Sequence, residues 1–168
     1  VRVGMGPTPM CYFATHHLNA DGSVMITGSH NPAEFNGFKI CLNRDALHGE
    51  EIQQIKEIVL SQSFAKGSGT IANKDIADNY LKFVKENIKL GDRKLKVVVD
   101  AGNGIGGIIG APLYKDLGVE VAELFIEPDS NFPNHHPDPT VEKNLQDAIK
   151  AVKAHKADLA IAFDGDGD

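Results

Sequence analysis

The sequence has few cysteines, no excess of positive charge and no long apolar run, and each absence excludes a class of protein. Its two cysteines, Cys11 and Cys41, form neither a CxxC motif nor a disulfide framework, so we expect core packing in a reduced, cytoplasmic setting. The net charge of −6 argues against nucleic acid as a partner, since non-specific binding needs a basic face. No apolar run approaches the ~18 residues of a membrane helix, so we expect no membrane as a partner.

Neither end of the sequence resembles a natural boundary. The chain starts at Val1 without an initiator methionine or a signal peptide, and it stops inside the acidic run 164–168. We therefore expect a piece of a longer protein. The composition is otherwise ordinary for a globular protein, with 42% hydrophobic and 24% charged residues among 168.

Residues 1–73 have the apolar pattern of a mixed α/β segment. The pattern predicts a β-like start at 1–4, a helix from 8 to about 19, a short buried strand at 23–26, a strand at 38–42 and a helix at 49–61. The stretch 65–70 is rich in glycine and serine and reads as a linker. We place a domain boundary just after it, between residues 73 and 74.

Residues 74–168 have a more regular pattern. It predicts a helix at 74–88, then alternating strands and helices at 95–99, 106–117, 119–125, 141–155 and 159–163. Such alternation is typical of a parallel sheet with right-handed crossovers. The predicted fold class is α/β, with mixed and parallel sheets, flanking helices and two partial domains. Ligands of parallel sheets collect beyond the carboxyl ends of the strands, and we expect the segments after Ile26 and Phe163 to lie there.

The acidic run is the first chemical signal. Asp164, Asp166 and Asp168 are separated only by glycines, so the backbone is free to curl around a point. Hard oxygen ligands suit Mg²⁺ or Ca²⁺, and a divalent cation would offset the repulsion among three carboxylates. A calcium EF-hand also begins with this spacing but needs a preceding helix, whereas a strand is predicted here. A non-catalytic calcium-binding module remains an alternative.

The second signal is the segment 27–32, which we expect to present Ser29 on an exposed turn after a strand. It lacks the GxSxG pattern of a serine hydrolase. In an extended loop His30 would point the wrong way to act as the base of Ser29. The turn at Asn36–Gly37 returns Lys39 toward the same region. A serine, a lysine and a metal fit phosphoryl transfer, which depends mostly on positioning and charge neutralisation.

A glycine-rich segment supports a different interpretation. Residues 102–107 contain a literal GxGxxG after a predicted strand and before a helix, which is the context of dinucleotide binding. An acidic residue for the ribose is available at about the right distance. Against this hypothesis, Asp100 and Asn103 place polar side chains where the pyrophosphate turn is usually bare. A dinucleotide-binding oxidoreductase domain therefore stays open as an alternative.

The pair His135–His136 could suggest a metal cluster. Adjacent histidines in an extended segment diverge, however, and the prolines around them predict a rigid connector: Pro133, Pro137 and Pro139. We expect no metal site there.

Five segments together resemble loops of the α-D-phosphohexomutase family. They are TGSHNP at 27–32, NGFK at 36–39, DAGNG at 100–104, NFPNHHPDP at 131–139 and DGDGD at 164–168. The resemblance covers essentially the whole chain in the expected order. The forms at 27–30 and 132–137 are most similar to the bacterial phosphomannomutase/phosphoglucomutase branch, and a phosphoglucosamine mutase of the same family is the alternative.

The resemblance implies an isomerase that interconverts hexose 6-phosphate and hexose 1-phosphate, of mannose or glucose, through a bisphosphorylated sugar. It implies a phosphoserine at Ser29, Lys39 beside it to balance charge or protons, and His30 in contact with the phosphoryl group. It further implies Mg²⁺ held by the Ser29 phosphoryl oxygen and three carboxylates, Asp164, Asp166 and Asp168, with glucose 1,6-bisphosphate as the activator of the phosphoenzyme.

The same resemblance implies a parent enzyme of four domains. Residues 1–73 would be the C-terminal part of domain I, and residues 74–168 would be domain II, cut at its metal loop. The loops that recognise the sugar would lie outside this sequence, so we expect the chain alone to be inactive. Which hexose is preferred and the oligomeric state stay open.

Overall fold

The computed structural model describes residues 1–32 and 34–168 of the chain. These residues form two three-stranded sheets with helices packed on them, one antiparallel and one parallel. The predicted α/β class with mixed and parallel sheets is confirmed.

The antiparallel sheet belongs to the first half of the chain and has the strand order β1-β2-β3. A proline on each side of Thr8 favours the start of the first helix, because its φ is preset and its missing N–H has no helical partner there. The elements, in chain order, are α1 (Thr8–His17), β1 (Gly22–Ile26), β2 (Phe38–Leu42), β3 (Asp45–Ala46) and α2 (Glu50–Ser61).

One face of this sheet is open in the described part of the chain. Helix α1 packs against β1, but Val24 and Ile26 on the other face are 56% and 62% exposed, and Phe38 beside them is 65% exposed. The expectation of a buried strand at 23–26 is therefore wrong for these two side chains. The predicted helix at 49–61 forms as α2, yet it contains no buried residue, so its apolar side is also exposed.

The parallel sheet belongs to the second half and has the strand order β5-β4-β6, which confirms the predicted parallel unit. Its central strand carries three consecutive valines at 97–99, each no more than 3% exposed. Such an unbroken apolar run is typical of a strand covered on both faces. The elements are α3 (Ala77–Asn87), β4 (Lys96–Asp100), α4 (Gly107–Asp116), β5 (Glu120–Leu124), a 3₁₀ turn (Glu142–Leu145), α5 (Gln146–His155) and β6 (Leu159–Ala162).

Two apolar clusters hold the described residues together. One lies inside the parallel unit and centres on Val97, Val99, Ala111 and Val119. The other joins α1 to α3 and α4 through Met10, Ala14, Ile76 and Ile109. The two halves of the chain therefore share a core, and the boundary between residues 73 and 74 stays a prediction.

The N-terminal residues pair with the segment at the end of the first half. The β-like start forms one parallel bridge, between Arg2 and Asn73, with Arg2 N–H donating to Ala72 O at 2.7 Å. Among the residues that the structure describes, no helix combines the length and the apolarity needed to cross a membrane.

Candidate metal and serine site

The aspartate loop, residues 164–168, leaves the carboxyl end of β6 and curls back on itself. The backbone N–H groups of Gly167 and Asp168 donate to Asp164 Oδ1 at 2.9 and 3.2 Å, and Gly167 has a φ of +73°, which favours glycine. One carboxylate oxygen from each aspartate lies within 4.8 Å of the others. The loop therefore brings Asp164, Asp166 and Asp168 together, and a strand rather than an EF-hand helix precedes it.

Asp166 provides the test of whether a cation fits. Its Oδ2 accepts hydrogen bonds from Thr8 Oγ1 at 2.7 Å and Lys39 Nζ at 2.9 Å. Its Oδ1 is buried and has no hydrogen-bond partner within the described residues. A buried carboxylate oxygen without a partner is costly unless a cation meets it. Together with the carboxylates of Asp164 and Asp168, this oxygen makes a donor set that fits a hard divalent ion such as Mg²⁺.

Hydrogen bonds stabilise the charged forms of Asp166 and Lys39. Burial alone would raise the pKa of Asp166, but hydrogen bonds from Lys39 and Thr8 outweigh burial and lower this pKa to about 2. Burial would likewise lower the pKa of Lys39, but its hydrogen bonds to Asp168, at 2.6 Å, and Asp166 raise it above its ordinary value. Lys39 is therefore a permanent cation between two of the three carboxylates.

The serine loop, residues 27–37 without the undescribed position 33, reaches the aspartate loop from the antiparallel sheet. Ser29 has a φ of +49° and its N–H donates to Thr27 Oγ1 at 2.8 Å, so the loop bends sharply at the serine. The Ser29 hydroxyl then donates to Asp164 Oδ2 at 2.5 Å. A Cβ on Gly165 would lie 2.0 Å from Ser29 O, so this close approach of the two loops requires glycine.

His30 differs from its prediction. Its Nδ1 lies 3.5 Å from Ser29 Oγ and 3.7 Å from Asp164 Oδ2, whereas the sequence led us to expect a ring that points away. The physical reason is the left-handed backbone at Ser29, which replaces the extended conformation assumed for the loop. The distance to Ser29 is at the outer limit of a hydrogen bond, so His30 faces the hydroxyl without holding it.

Two residues of the site have no signal in the local sequence. Thr8 is fully buried against Asp166, from which it is separated by 158 positions, and nothing near it in the sequence signals this contact. His136 directs its Nε2 at the backbone carbonyl of His30 in the serine loop. The predicted divergence of the histidine pair is visible here, since His135 instead contacts the carboxylate of Asp100 at 3.1 Å.

The glycine-rich segment does not form a dinucleotide site. The N–H groups that a pyrophosphate would need are bonded within the protein: Asn103 donates to Phe125 O at 2.7 Å and Ile105 to Gly165 O at 3.0 Å. A Cβ on Gly104 would lie 2.8 Å from Gly165 O. These glycines let β4 and α4 approach the aspartate loop, and the dinucleotide interpretation is wrong.

The fold and the site define a class: an α/β protein that brings a serine loop to an acidic, metal-fitting loop at the edge of a parallel sheet. Residues 1–66 match the family description "Phosphoglucomutase/phosphomannomutase, alpha/beta/alpha domain I", and residues 78–168 match the corresponding domain II. The chain belongs to the phosphoglucomutase/phosphomannomutase family.

Individual relatives agree with this membership. A phosphoglucomutase of Neisseria meningitidis is 48% identical over 170 residues, which cover 100% of this chain and 37% of that protein. A phosphomannomutase/phosphoglucomutase of Pseudomonas syringae is 50% identical over 166 residues, 99% of this chain and 36% of that protein. The crystal structure of a phosphoglucomutase/phosphomannomutase family protein from Burkholderia thailandensis has a TM-score of 0.92 at 45% identity, covering 98% of this chain and 37% of its own. The chain thus spans just over a third of the length of these relatives.

Proposed function

We propose that this chain is the phosphoryl-carrying and metal-binding part of a phosphohexomutase, an isomerase that interconverts hexose 6-phosphate and hexose 1-phosphate. The observation that carries the proposal is the contact between Ser29 Oγ and Asp164 Oδ2 at 2.5 Å. It places a hydroxyl that can accept a phosphoryl group against a carboxylate cluster that fits a divalent cation. Ser29, His30 and Lys39 are the proposed catalytic residues.

Asp164 is placed to accept the proton that must leave the Ser29 hydroxyl. When the hydroxyl attacks a phosphorus atom of a hexose bisphosphate, the new bond joins Ser29 Oγ to phosphorus and the bond from phosphorus to the sugar oxygen breaks. The hydroxyl proton passes along its hydrogen bond to Asp164 Oδ2, and the leaving sugar oxygen takes up one proton, so no net proton is gained or lost. In the reverse direction a sugar hydroxyl takes the phosphoryl group and Ser29 regains its proton.

The remaining groups can neutralise the negative charge on the phosphoryl oxygens. Lys39 is about one-third exposed and permanently charged, so it can turn from the carboxylates toward an incoming phosphoryl group. The His30 ring has its Nδ1 toward Ser29 Oγ, so it is suited to contact the same phosphoryl group. Mg²⁺ would be held by Asp164, Asp166, Asp168 and a phosphoryl oxygen on Ser29, and it would supply Lewis-acid polarisation of the phosphoryl oxygens.

The proposed substrates are the phosphates of glucose and mannose, as small-molecule ligands, with glucose 1,6-bisphosphate as activator. Two curated relatives carry phosphoglucomutase or phosphomannomutase/phosphoglucomutase as their names, which supports these hexoses over glucosamine. The proposal includes neither nucleic acid nor a membrane as a partner. Both cysteines are free and buried, which supports a cytoplasmic location.

The test is phosphopeptide mapping after incubation with glucose 1,6-bisphosphate and Mg²⁺, in a protein that carries this chain at the full length of its relatives. We expect one phosphoryl group on Ser29, which is then passed to a hexose monophosphate. Ser29→Ala should abolish the modification, whereas Ser61→Ala, at the exposed end of α2, should leave it unchanged. An unmodified Ser29 in the folded, Mg²⁺-loaded protein would contradict the proposal.

A further inference from the structure

His136 connects the second half of the chain to the backbone of the serine loop. Its Nε2 contacts the carbonyl oxygen of His30, 106 positions away, and the ring stands edge-on to Phe132 with centroids 5.7 Å apart. A carbonyl oxygen only accepts hydrogen bonds, so His136 Nε2 is the donor. The ring therefore contacts the residue next to Ser29 without touching the hydroxyl itself.

His136 is itself held by a chain of contacts that ends in the sheet. The neighbouring ring of His135 contacts the carboxylate of Asp100 through Nε2 at 3.1 Å and the carbonyl of His136 through Nδ1 at 3.0 Å. Asp100 is 1% exposed at the end of β4 and also accepts the N–H of Gly102 at 3.0 Å. Pro137 is fully buried directly after the pair, which fixes the backbone on that side. The donor is thus connected to the buried carboxyl end of β4.

The hydrogen bond that joins the serine loop directly to the aspartate loop cannot hold the two loops together throughout the proposed reaction. The Ser29 hydroxyl donates to Asp164, but an oxygen bonded to phosphorus has no proton to donate. Phosphorylation therefore removes that bond. The bond from His136 uses a backbone carbonyl, which keeps both lone pairs whether or not Ser29 is phosphorylated.

We propose that His136 is a positioning residue that holds the serine loop against the aspartate loop through the backbone carbonyl of His30. The inference rests on the proposed function, because its purpose is to keep Ser29 in register with the metal-binding carboxylates when the hydroxyl no longer does so. Small displacements of a reacting group cost large factors in rate, so one bond at this place has a measurable effect.

The test compares three variants in a protein that carries this chain at the full length of its relatives. His136→Leu removes the donor at similar bulk. His136→Gln restores an N–H at about the position of Nε2. His155→Leu changes an exposed histidine at the end of α5 and serves as the matched control.

The first measurement is the rate of Ser29 phosphorylation by glucose 1,6-bisphosphate, together with the Kd of Mg²⁺. For His136→Leu we expect a rate about tenfold lower, as the loss of one hydrogen bond allows, and a Kd within about twofold of the parent. The aspartate loop is held by its own backbone N–H groups, so it does not depend on His136. His136→Gln should recover most of the rate. An unchanged rate in His136→Leu, a parallel loss of Mg²⁺ affinity, or no recovery in His136→Gln would overturn the inference.

The second measurement is hydrogen exchange of the Ser29 and Asn31 amides, which are bonded to Thr27 Oγ1 and Gly28 O within the loop. They should exchange about tenfold faster in His136→Leu than in the parent or in His155→Leu. Equal exchange in all three proteins would overturn the inference. This measurement needs no turnover, so it tests the positioning role of His136 even if Ser29 proves not to be phosphorylated. The absence of phosphorylation would count against the proposed function alone.

Discussion

The two loops of the candidate site rest on supports of very different kinds. The aspartate loop follows a parallel sheet whose central valines, 97–99, are at most 3% exposed. The serine loop follows β1, where Val24 and Ile26 are more than half exposed, and the neighbouring helix α2 has no buried residue. The aspartate loop is therefore anchored in a packed core, whereas the serine loop depends on contacts with residues of the second half.

The aspartates and Ser29 are therefore held in position by different kinds of contact. A residue in a well-packed core has few alternative positions, so the aspartates are placed by the fold itself. Ser29 is placed by a bend at its own backbone, by the hydroxyl bond to Asp164 and by the close approach of Gly165. Substitutions in the two supports should consequently have unequal effects.

The largest effect is expected from a charge in the packed support. Val99→Asp would bury a carboxylate at a position that is fully buried, and we expect a loss of more than about 4 kcal/mol in the free energy of unfolding. Ile26→Asp, on the open face of the antiparallel sheet, should change it by less than about 0.5 kcal/mol. Urea unfolding followed by circular dichroism measures both. Similar losses in the two variants would break the comparison.

The junction of the two loops should be the next most sensitive place. The Cβ in Gly165→Ala would lie 2.0 Å from Ser29 O, so the serine loop must shift. A shift of this size is expected to slow Ser29 phosphorylation about 100-fold, since misplacement by about 1 Å has such a cost. Gly91→Ala, with nothing within 4 Å of the added carbon, is the control. A phosphorylation rate equal to that of the control would show that Gly165 and Ser29 do not lie as close together as the structure has them.

Thr8→Val tests the buried contact that anchors Asp166. The variant loses the hydroxyl donor at 2.7 Å, and we expect a loss of about 1–2 kcal/mol in the free energy of unfolding at pH 7. The folded pKa of Asp166 is lowered from 3.8 to about 2, so its contribution to stability is present above pH 3.8 and is lost as pH falls through about 2. The difference in the free energy of unfolding between parent and variant should therefore shrink as pH falls from 3.8 to about 2. Urea unfolding at several pH values measures this difference, and a constant difference down to pH 2 would be evidence against a hydrogen bond from Thr8 to the ionised Asp166 carboxylate.

The smallest effect is expected on the surface of the packed half. The backbone N–H of Lys96 donates to Asp158, and this bond, followed by the Arg93 guanidinium, lowers the pKa of the carboxyl group. Asp158→Asn should cause a small loss of stability at neutral pH that disappears in acid, as pH falls through the lowered pKa. Asp92→Asn, an exposed aspartate next to Arg93 in the sequence, is the control. A loss as large as that of Thr8→Val would be unexpected.

Much of the fold could be predicted because apolar strand and helix patterns alternate regularly in the second half of the chain. The strands at 95–99, 119–125 and 159–163 were predicted within one or two residues of β4, β5 and β6. Strand β3 has two residues and leaves no periodic signal, so it was missed. The burial of Val24 and Ile26 was overestimated because a short apolar run shows which side chains are apolar but not whether anything covers them.

The site could be predicted only as far as its chemistry lies in short segments. The three aspartates, Ser29 and Lys39 each stand in a local pattern, and the structure brings them together. Thr8 and His136 lie more than 100 positions away from their partners in the sequence. Contacts over such a separation produce no local sequence pattern from which they could be predicted. The orientation of His30 depends on the left-handed backbone of Ser29, a non-glycine residue whose identity does not signal it.

The most direct test of the central claim, that the serine loop and the aspartate loop form one metal-dependent site, is a titration of the ¹⁵N-labelled chain with paramagnetic Mn²⁺ in place of Mg²⁺. We expect the amide signals of residues 28–31 and 164–168 to broaden together at the same Mn²⁺ concentration. Asp166→Asn should weaken the broadening of both segments together. Broadening confined to residues 164–168, with residues 28–31 unaffected, would show that the two loops do not share the site.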